Sequence, residues 1–417
     1  MNASLSLIKP HQSMRIQRNE LLQQSFGDVE NELNVSFTEE EITKCIQKLK
    51  PNKAYGIDNI LNEYIKHTEK SLIQTYVALF NLILETGTIP SEWLTGIIHP
   101  LYKNKGARAD LDNYRGITIL SCLSKLFTAV FNERLTKYME SMGSIGPEQT
   151  GFRKGYTTLD HIFTLKCLTD LYLSKKKRIY ASFIDYRKAF DSVDRTNLRY
   201  KVINCKIKGK LFNVIYNLYK SAKSCIKHEN ELSDMFNCML GVRQGENLSP
   251  LLFSIYLRDL ESFLSNYYEG LKYFNDQAFN NTDEGSDAHV YIKLFILLYA
   301  DDTVILAETE ADLQAAINGM HEYCNIWKLD INTSKTKVIV FSRGKIRNKP
   351  KIMYGDVLLD VVDDYTYLGI VFNYNGSFTK TIRMLYVKAS NAMFTILKKA
   401  KKLHLDIDTQ IQLFIIL

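Results

Sequence analysis

The sequence lacks the features that mark secreted, membrane-spanning and zinc-stabilised proteins. Its seven cysteines are odd in number, and no two have the CxxC spacing of a zinc site, so we expect reduced thiols. The first twenty residues lack the apolar run of a signal peptide, and no window reaches the roughly 18 uninterrupted apolar residues of a membrane span. These absences predict an intracellular, soluble protein with no membrane partner.

A strong excess of one charge is also missing. Lysine and arginine outnumber aspartate and glutamate by 53 to 46, which gives a net charge of +7. This excess permits a polyanionic partner without requiring one. The length of 417 residues and the hydrophobic content of 46% predict a large core, which we expect to be divided between two or three subdomains.

Helical and strand patterns alternate along the chain. Thr38 and Glu41 have the spacing of a capping box, which predicts a helix that stops at Pro51. Further helices are predicted at 72–88, 122–140, 158–175, 209–221, 248–267 and 310–328, and strands at 178–185, 223–229, 235–240 and 335–343. The polar stretch 268–289 has no periodicity and is expected to be a loop. This order predicts an α+β fold around one antiparallel sheet.

Two adjacent aspartates interrupt an apolar stretch, LLYADDTVIL. A pair such as Asp301 and Asp302 is by itself typical of a solvated turn. Here the flanks are apolar enough for inner strands, and Asp185 likewise follows an apolar strand, in SFIDYRKAFDSV. Neighbouring buried carboxylates repel one another and gain protons unless a cation intervenes. Hard oxygen ligands suit Mg²⁺, so the three aspartates predict two-metal phosphoryl chemistry.

Eight segments, in order between residues 49 and 370, resemble the motifs of reverse transcriptases, and of the non-LTR (LINE-like) retrotransposon group in particular. FIDYRKAFDSV, GVRQGENLSP and YADD resemble the core motifs. LKPNKAYGID, HPLYKNKG with NYRGITILS, GPEQTGFRKGYTTLDHI, LDINTSKTKVIVF and YTYLGI resemble the elements around them. YADD alone recurs by chance in unrelated proteins, whereas eight such segments in the family's order do not.

The resemblance implies a right-hand polymerase with an antiparallel palm sheet backed by helices. The implied divisions are an N-terminal extension at 1–35, fingers at 36–176 with a return segment near 205–235, a palm at 177–372 and the start of a helical thumb at 373–417, with the reverse transcriptase core at roughly 95–372. Because the chain ends on the apolar residues FIIL, we expect a fragment whose thumb is truncated and whose partner helices are missing.

The implied activity is that of a nucleotidyltransferase, an RNA-directed DNA polymerase. Asp185, Asp301 and Asp302 would be the catalytic residues and would bind two Mg²⁺ ions, with Mn²⁺ as an alternative. The implied partners are an RNA template, a DNA primer and dNTPs. In non-LTR elements the primer is a nicked chromosomal end, which implies a nuclear location and an endonuclease that the chain has no room for.

By the same resemblance, six residues would bind the nucleotide: Arg115, Lys103, Phe190, Gln244, Gly245 and Lys335. Phe190 corresponds to a steric gate that clashes with a 2′-hydroxyl, and Lys335 is a candidate general acid for pyrophosphate. Solvated charges and a core aromatic ring are the structural alternatives for these side chains. Gly116 and Asn247 replace family prolines, and Asp191 is interpreted as structural or capping.

A second set is expected to contact primer and template: Gly151, Phe152, Arg153, Arg243, Tyr367, Leu368 and Gly369. The last three belong to a strand hairpin that would hold the primer.

Three other functions remain open at this stage. The chain could be an inactive retroelement remnant, or a co-opted protein that binds RNA through basic grooves. An intron-maturase-like splicing cofactor would need a further domain, and Arg243 is typical of the non-LTR version instead. RNA synthesis is disfavoured by Phe190, because a bulky gate selects deoxynucleotides.

Overall fold

The computed structural model describes residues 32–104, 106–146, 148–229, 231–274, 291–294 and 296–415. Most of the predicted N-terminal extension therefore lies outside the described residues. The predicted loop at 268–289 is wrong in part, because residues 271–274 form a strand that pairs with residues 291–294. The rest of that stretch lies outside the described residues.

The described helices are α1 (Glu39–Gln47), α2 (Asn62–Lys66), α3 (Lys70–Thr86), α4 (Cys122–Ser141), α5 (Thr158–Ser174), α6 (Ala189–Ser192), α7 (Arg195–Asn204), α8 (Lys210–Lys220), α9 (Ser249–Leu257), α10 (Leu260–Leu264), α11 (Glu310–Trp327), α12 (Thr379–Lys402) and α13 (Ile407–Ile415). The strands are β1 (Thr95–Tyr102), β2 (Tyr114–Ile119), β3 (Ile179–Ile184), β4 (Lys223–His228), β5 (Glu231–Leu232), β6 (Phe236–Asn237), β7 (Leu271–Phe274), β8 (Tyr291–Leu294), β9 (Ile296–Tyr299), β10 (Asp302–Ala307), β11 (Lys337–Phe341), β12 (Met353–Tyr354), β13 (Val357–Leu358), β14 (Asp360–Val361), β15 (Asp364–Tyr367) and β16 (Ile370–Asn373).

Local sequence signals account for where several helices begin. The capping box predicted for α1 is present, since Thr38 accepts from the Glu41 amide and the Glu41 carboxylate accepts from the Thr38 amide. Thr157 and Asp160 form the same reciprocal pair at the start of α5. These caps satisfy amide groups that the first helical turn leaves without an intrahelical partner.

Two five-stranded sheets organise the chain. The first has the order β2-β1-β4-β5, with β6 also on β4, and its β1–β4 pairing is parallel. The second has the order β14-β11-β3-β10-β9 and carries the aspartates at one end. The prediction of a wholly antiparallel sheet is wrong at its edge, where β14 pairs with β11 in parallel. The inner pairings β11–β3, β3–β10 and β10–β9 are antiparallel.

Both faces of the second sheet are buried. Along β3, Ile179 and Phe183 belong to one apolar cluster, together with residues of α5 and of β15–β16. Ile184 belongs to a larger cluster with residues of α7, α9 and α11 on the opposite face. This alternation is that of a strand between two layers. The sheet is therefore a rigid support for groups at its ends.

The two tryptophans have different neighbours within the larger cluster. Trp93 packs against Phe80 and Phe127, with ring centroids 6.2 and 5.7 Å away. Trp327 stacks on Tyr200 at 6.0 Å. Both side chains are buried. In the described part of the chain, no helix is both long and apolar enough to cross a bilayer.

Candidate active site

The register of the second sheet brings the three aspartates together. Strand β10 runs antiparallel to β3 with Thr303 opposite Ile184, so Asp302 and Asp185 are neighbours at one end of the pair. Asp302 is also opposite Tyr299 in β9, which leaves Ala300 and Asp301 as a two-residue turn. We call β9, this turn and β10 the aspartate hairpin.

The electrostatics of this end favour a bound cation. Burial raises the pKa of Asp301, and the negative charge of Asp185 adds to that effect. Burial, followed by the charges of Asp301 and Asp185, raises the pKa of Asp302 to about 6. The negative charge of Asp185 therefore makes ionisation of Asp301 and Asp302 harder. A positive charge among them would remove this penalty.

The donor set suits a hard divalent ion. Asp185, Asp301 and Asp302 offer only carboxylate oxygens, which Mg²⁺ and Mn²⁺ prefer. Among the described residues, no three histidine, cysteine or acidic side chains are already arranged as a metal-ligand cluster. The case for a divalent ion thus rests on the carboxylate oxygens and on their raised pKa values. The number and kind of ions remain predictions.

Asp185 is held by the segment before β11. Its backbone amide donates to the Thr336 hydroxyl at 3.1 Å, and its carbonyl accepts from the Asn332 amide at 2.8 Å. The ammonium nitrogen of Lys335 lies 3.7 Å from Oδ2 of Asp185. Lys335, the predicted general acid, is therefore beside the aspartates.

The β1–β2 hairpin brings positive charge to the site from the other sheet. Arg115 is exposed on β2, opposite Leu101, and its charge lowers the pKa of Asp301 against the effect of burial. Lys103 lies just beyond β1, where its amide donates to the Asn113 carbonyl at 2.8 Å. Arg115 is thus close enough to influence Asp301 electrostatically.

Phe190 is half-buried on α6, five residues after Asp185 in the sequence. Its ring stacks on the buried Phe253 with centroids 4.9 Å apart and planes at 26°. The stack fixes the ring between α6 and α9. The role of Phe190 as a steric gate stays a prediction.

The neighbouring Asp191 contacts the glycine-containing loop. Both of its carboxylate oxygens lie 3.0 Å from Nε2 of Gln244. The residue that caps a helix here is Asp194, whose side chain accepts from the Asn197 amide at the start of α7. The capping interpretation of Asp191 is therefore wrong, while a structural role agrees with its contact to Gln244.

Two glycines let this loop approach its neighbours closely. A Cβ on Gly241 would lie 2.7 Å from the Asp191 carbonyl oxygen, and one on Gly245 would lie 2.8 Å from that of Thr118. Both glycines also have positive φ, which other residues rarely adopt. The Thr118 amide donates to the Gln244 carbonyl at 3.3 Å. The loop that contains Gly241 and Gly245 thus packs between β2 and α6.

Arg243 occupies a different place from the one predicted. Its side chain is 8% exposed, and its guanidinium donates to the carbonyls of Trp93 and Leu94 at 2.8 Å and of Leu218 at 3.3 Å. A side chain so enclosed cannot reach a primer or template. The prediction of direct contact is corrected to a structural role between α8, the turn that precedes β1, and the loop.

The predicted primer- and template-binding residues Gly151, Phe152 and Arg153 differ in their contacts and in their exposure to solvent. A Cβ on Gly151 would lie 2.2 Å from the Ala300 nitrogen, so glycine is required for contact with the aspartate hairpin. Phe152 is 60% exposed. Arg153 donates to the Glu140 carboxylate at 2.7 Å and to the Gly146 carbonyl at 2.8 Å. Phe152 is the member of this trio whose side chain faces outward.

The strand hairpin that we predicted to hold the primer is present as β15 and β16, which we call the tyrosine hairpin, and its contact with a primer stays a prediction. Leu368 and Gly369 form its two-residue turn, both with positive φ, as expected for a tight hairpin of type I′. Tyr367 is buried, and its hydroxyl lies 3.2 Å from Nδ1 of His161. Its side chain is therefore directed into the protein, which corrects the expectation that it contacts the primer.

Sequence reasoning missed three polar residues beside the aspartate hairpin: Gln149, Thr150 and His161. All three are buried and hydrogen-bonded. They belong to the segment GPEQTGFRKGYTTLDHI, so the motif marks the region. Their partners on the two hairpins, Ala300 for Gln149 and Tyr367 for His161, are distant in sequence, and no local pattern identifies them.

Comparison with known proteins agrees with these motifs. A family model described as Reverse transcriptase (RNA-dependent DNA polymerase) matches residues 102–372. The chain is 27% identical to the RNA-directed DNA polymerase from mobile element jockey of Drosophila funebris, over 84% of the chain and 36% of that protein. A probable RNA-directed DNA polymerase from transposon X-element of Drosophila melanogaster is 25% identical over 82% of the chain and 36% of the relative.

A third relative is the retrovirus-related Pol polyprotein from type-1 retrotransposable element R2 of Popillia japonica. It is 27% identical over 82% of the chain and 46% of its own length. The chain therefore spans less than half the length of each of these curated relatives.

Proposed function

The chain belongs to the reverse transcriptase (RNA-dependent DNA polymerase) family, and we propose that it supplies the RNA-directed DNA polymerase activity of a non-LTR retrotransposon. The observation that carries this proposal is the convergence of Asp185, Asp301 and Asp302 at one end of a buried sheet. The substrates would be a primer 3′-hydroxyl and a dNTP on an RNA template, with a nicked DNA end as primer in the element's life cycle.

The family uses divalent metal ions, and we propose two Mg²⁺ ions, or Mn²⁺, bound by the three aspartates. When bound, such ions lower the pKa of the attacking hydroxyl and offset the charge of the leaving pyrophosphate. The raised pKa values of Asp301 and Asp302 support this assignment, because they indicate carboxylates that need a compensating charge.

The surrounding residues would bind and orient the nucleotide. Arg115 would contact the triphosphate with its planar guanidinium, assisted by Lys103. Gln244 and Gly245 would form the platform beneath the base and sugar, with the Gln244 amide oriented by Asp191. Lys335 would donate a proton to the leaving pyrophosphate.

Phe190 would set the choice of sugar. Because its ring is stacked on Phe253, it would clash with a 2′-hydroxyl rather than turn aside. Phe152 and the tyrosine hairpin would contact template and primer. The first sheet with its helices would form the fingers, the second sheet the palm and α12 the start of the thumb, as in a right hand.

Primer extension tests this proposal. The protein is incubated with a DNA primer on an RNA template, dNTPs and Mg²⁺, and compared with an Asp301→Asn, Asp302→Asn double variant. We expect extension by the wild type and none by the variant. Asp356→Asn is the matched control, since Asp356 is an exposed aspartate in the β12–β13 turn, away from the site.

A circular dichroism spectrum unchanged by the double substitution would show that the loss is chemical. Tight binding of the primed RNA without extension by the wild type would reject the polymerase and favour the co-opted RNA-binding protein. Equal extension by wild type and double variant would reject the aspartates as the catalytic set.

A further inference from the structure

A short segment pairs with the outer edge of the aspartate hairpin. The Leu298 amide donates to the Glu148 carbonyl at 2.9 Å, and the Thr150 amide donates to the Leu298 carbonyl at 3.0 Å. Residues 148–150 therefore run alongside β9 as one more short strand, parallel to it. This pairing fixes the arm of the hairpin that leads into the turn.

The turn itself is held by a side chain of the same segment. Gln149 is 2% exposed, and its Oε1 accepts from the Ala300 amide at 3.1 Å and from the Gly151 amide at 3.0 Å. Ala300 has a φ of +59°, a left-handed conformation that is unfavourable for a residue with a Cβ. The Gln149 amide thus stabilises an unfavourable backbone next to Asp301.

His161 joins this segment to the tyrosine hairpin. The imidazole is 3% exposed; its Nε2 lies 2.9 Å from the Thr150 hydroxyl and its Nδ1 lies 3.2 Å from the Tyr367 hydroxyl. Its ring also lies edge-to-face on Tyr299, the last residue of β9, at a centroid distance of 6.1 Å. One side chain therefore touches the aspartate hairpin, its supporting segment and the tyrosine hairpin.

The imidazole is neutral at ordinary pH. Burial lowers the pKa of His161 to about 4, against the opposing negative charge of Asp160 on the same helix. The groups that face it from the other elements are the hydroxyls of Thr150 and Tyr367 and the ring of Tyr299. A neutral imidazole has one donor and one acceptor nitrogen, and each of the two hydroxyls can serve either role. Both ring nitrogens of His161 can therefore form hydrogen bonds without a buried charge.

We propose that His161 is a positioning residue that couples the aspartate hairpin to the tyrosine hairpin, with Gln149 and Thr150 transmitting its position to the turn at Ala300. The coupling would hold the carboxylates and the primer strand at a fixed separation. The physical coupling between the two hairpins can be measured in the protein alone. Only the effect of this coupling on catalysis rests on the proposed function.

Hydrogen exchange of the full chain, measured with and without Tyr367→Phe, tests the coupling. This substitution removes one hydroxyl from the tyrosine hairpin and leaves the ring in place. We expect exchange of the amides at 298–301 to rise about fivefold, since one typical hydrogen bond supports that much protection. Unchanged exchange in this segment would overturn the proposal.

Tyr172→Phe is the matched control. Tyr172 is a buried tyrosine on α5 whose hydroxyl donates to the Glu308 carboxylate at 2.7 Å, so its loss removes a comparable bond elsewhere. We expect no rise in exchange at 298–301 in this variant. An equal rise in both variants would indicate general loosening and would overturn a specific coupling.

Activity gives a second, separable readout. We expect Tyr367→Phe and His161→Leu to lower kcat about tenfold or more while the KM for dNTP changes little, because small misplacement of reacting groups affects the chemical step. His161→Gln, whose amide also offers a donor and an acceptor, should recover part of the loss. Equal loss in His161→Gln and His161→Leu, or a change in KM alone, would contradict a positioning role.

A wild type without extension would reject the proposed function, whereas the exchange result would still decide the coupling.

Discussion

The ammonium nitrogen of Lys335 lies 3.7 Å from the carboxylate of Asp185. If Lys335 protonates the leaving pyrophosphate, Lys335→Ala should lower kcat for single-nucleotide incorporation by roughly 100-fold to 10,000-fold. Lys337→Ala is the control, because Lys337 is two residues away and its ammonium lies 2.6 Å from the carboxylate of Asp360. Rapid-quench kinetics that show equal rates for wild type and Lys335→Ala would remove Lys335 from the chemistry.

Removing the charge of Asp302 should stabilise the folded protein while abolishing activity. The folded pKa of Asp302 is about 6, above the ordinary value of 3.8, so the folded state favours the protonated form. Its ionisation therefore costs stability as pH rises from about 4 to 6, and the full cost is present above that range. Protein atoms surround the Asp302 carboxyl closely enough to raise its pKa, but the residue still reaches solvent. Because solvent screens its charge, we expect the gain from Asp302→Asn near pH 7.5 to be at or below about 1 kcal/mol.

Urea unfolding in a chelator measures this difference. We expect a higher midpoint for Asp302→Asn at about pH 7.5, and a smaller difference at about pH 4.5, where the wild-type carboxyl is largely protonated. Added Mg²⁺ should stabilise the wild type more than the variant, because ligand binding to the folded state raises stability. A variant less stable than the wild type at both pH values would contradict the raised pKa.

Phe190 should determine the choice between deoxynucleotides and ribonucleotides. Phe190→Ala removes the ring that stacks on Phe253, so a 2′-hydroxyl would no longer meet a clash. We expect the ratio of kcat/KM for dNTP to that for NTP to fall by roughly 10-fold or more in single-nucleotide incorporation. Phe190→Tyr keeps the ring and should retain the wild-type ratio. A ratio unaffected by Phe190→Ala would place the sugar away from α6.

Two arginines near the site should give opposite phenotypes. Arg243→Met leaves three buried carbonyls without their donor, so we expect a loss of roughly 2–4 kcal/mol in the free energy of unfolding. Arg115→Gln should leave stability unchanged, because Arg115 is exposed, but raise the KM for dNTP roughly 10-fold to 100-fold.

Urea titrations and steady-state kinetics on both variants separate these effects. If Arg243→Met is as stable as the wild type and weakens template binding, the structural interpretation of Arg243 is incorrect.

Features with local causes could be predicted from the sequence. The capping box of Thr38 and Glu41 depends on residues three apart, and it is present. The convergence of Asp185 with Asp301 and Asp302 could be inferred because apolar flanks and adjacent like charges are both visible in the sequence.

Features that depend on partners distant in the sequence could not be predicted from it. Arg243 donates to carbonyls about 150 residues earlier, and His161 contacts a hydroxyl 206 residues later. A charged side chain such as Arg243 is expected to face solvent, and its burial becomes visible only in the folded structure. The parallel pairing of β14 with β11 likewise depends on how residues 342–359 return to the sheet, for which the sequence has no short-range signal.

The two buried tryptophans have different neighbours, so their fluorescence can report on two regions of the protein. Trp93 lies among the phenylalanines of α3 and α4, whereas Trp327, the last residue of α11, lies against α7. With Trp93→Phe or Trp327→Phe, the intrinsic fluorescence of the remaining indole would follow one of these regions alone. Coincident emission changes during denaturation would identify one cooperative unit, and separate transitions would identify two.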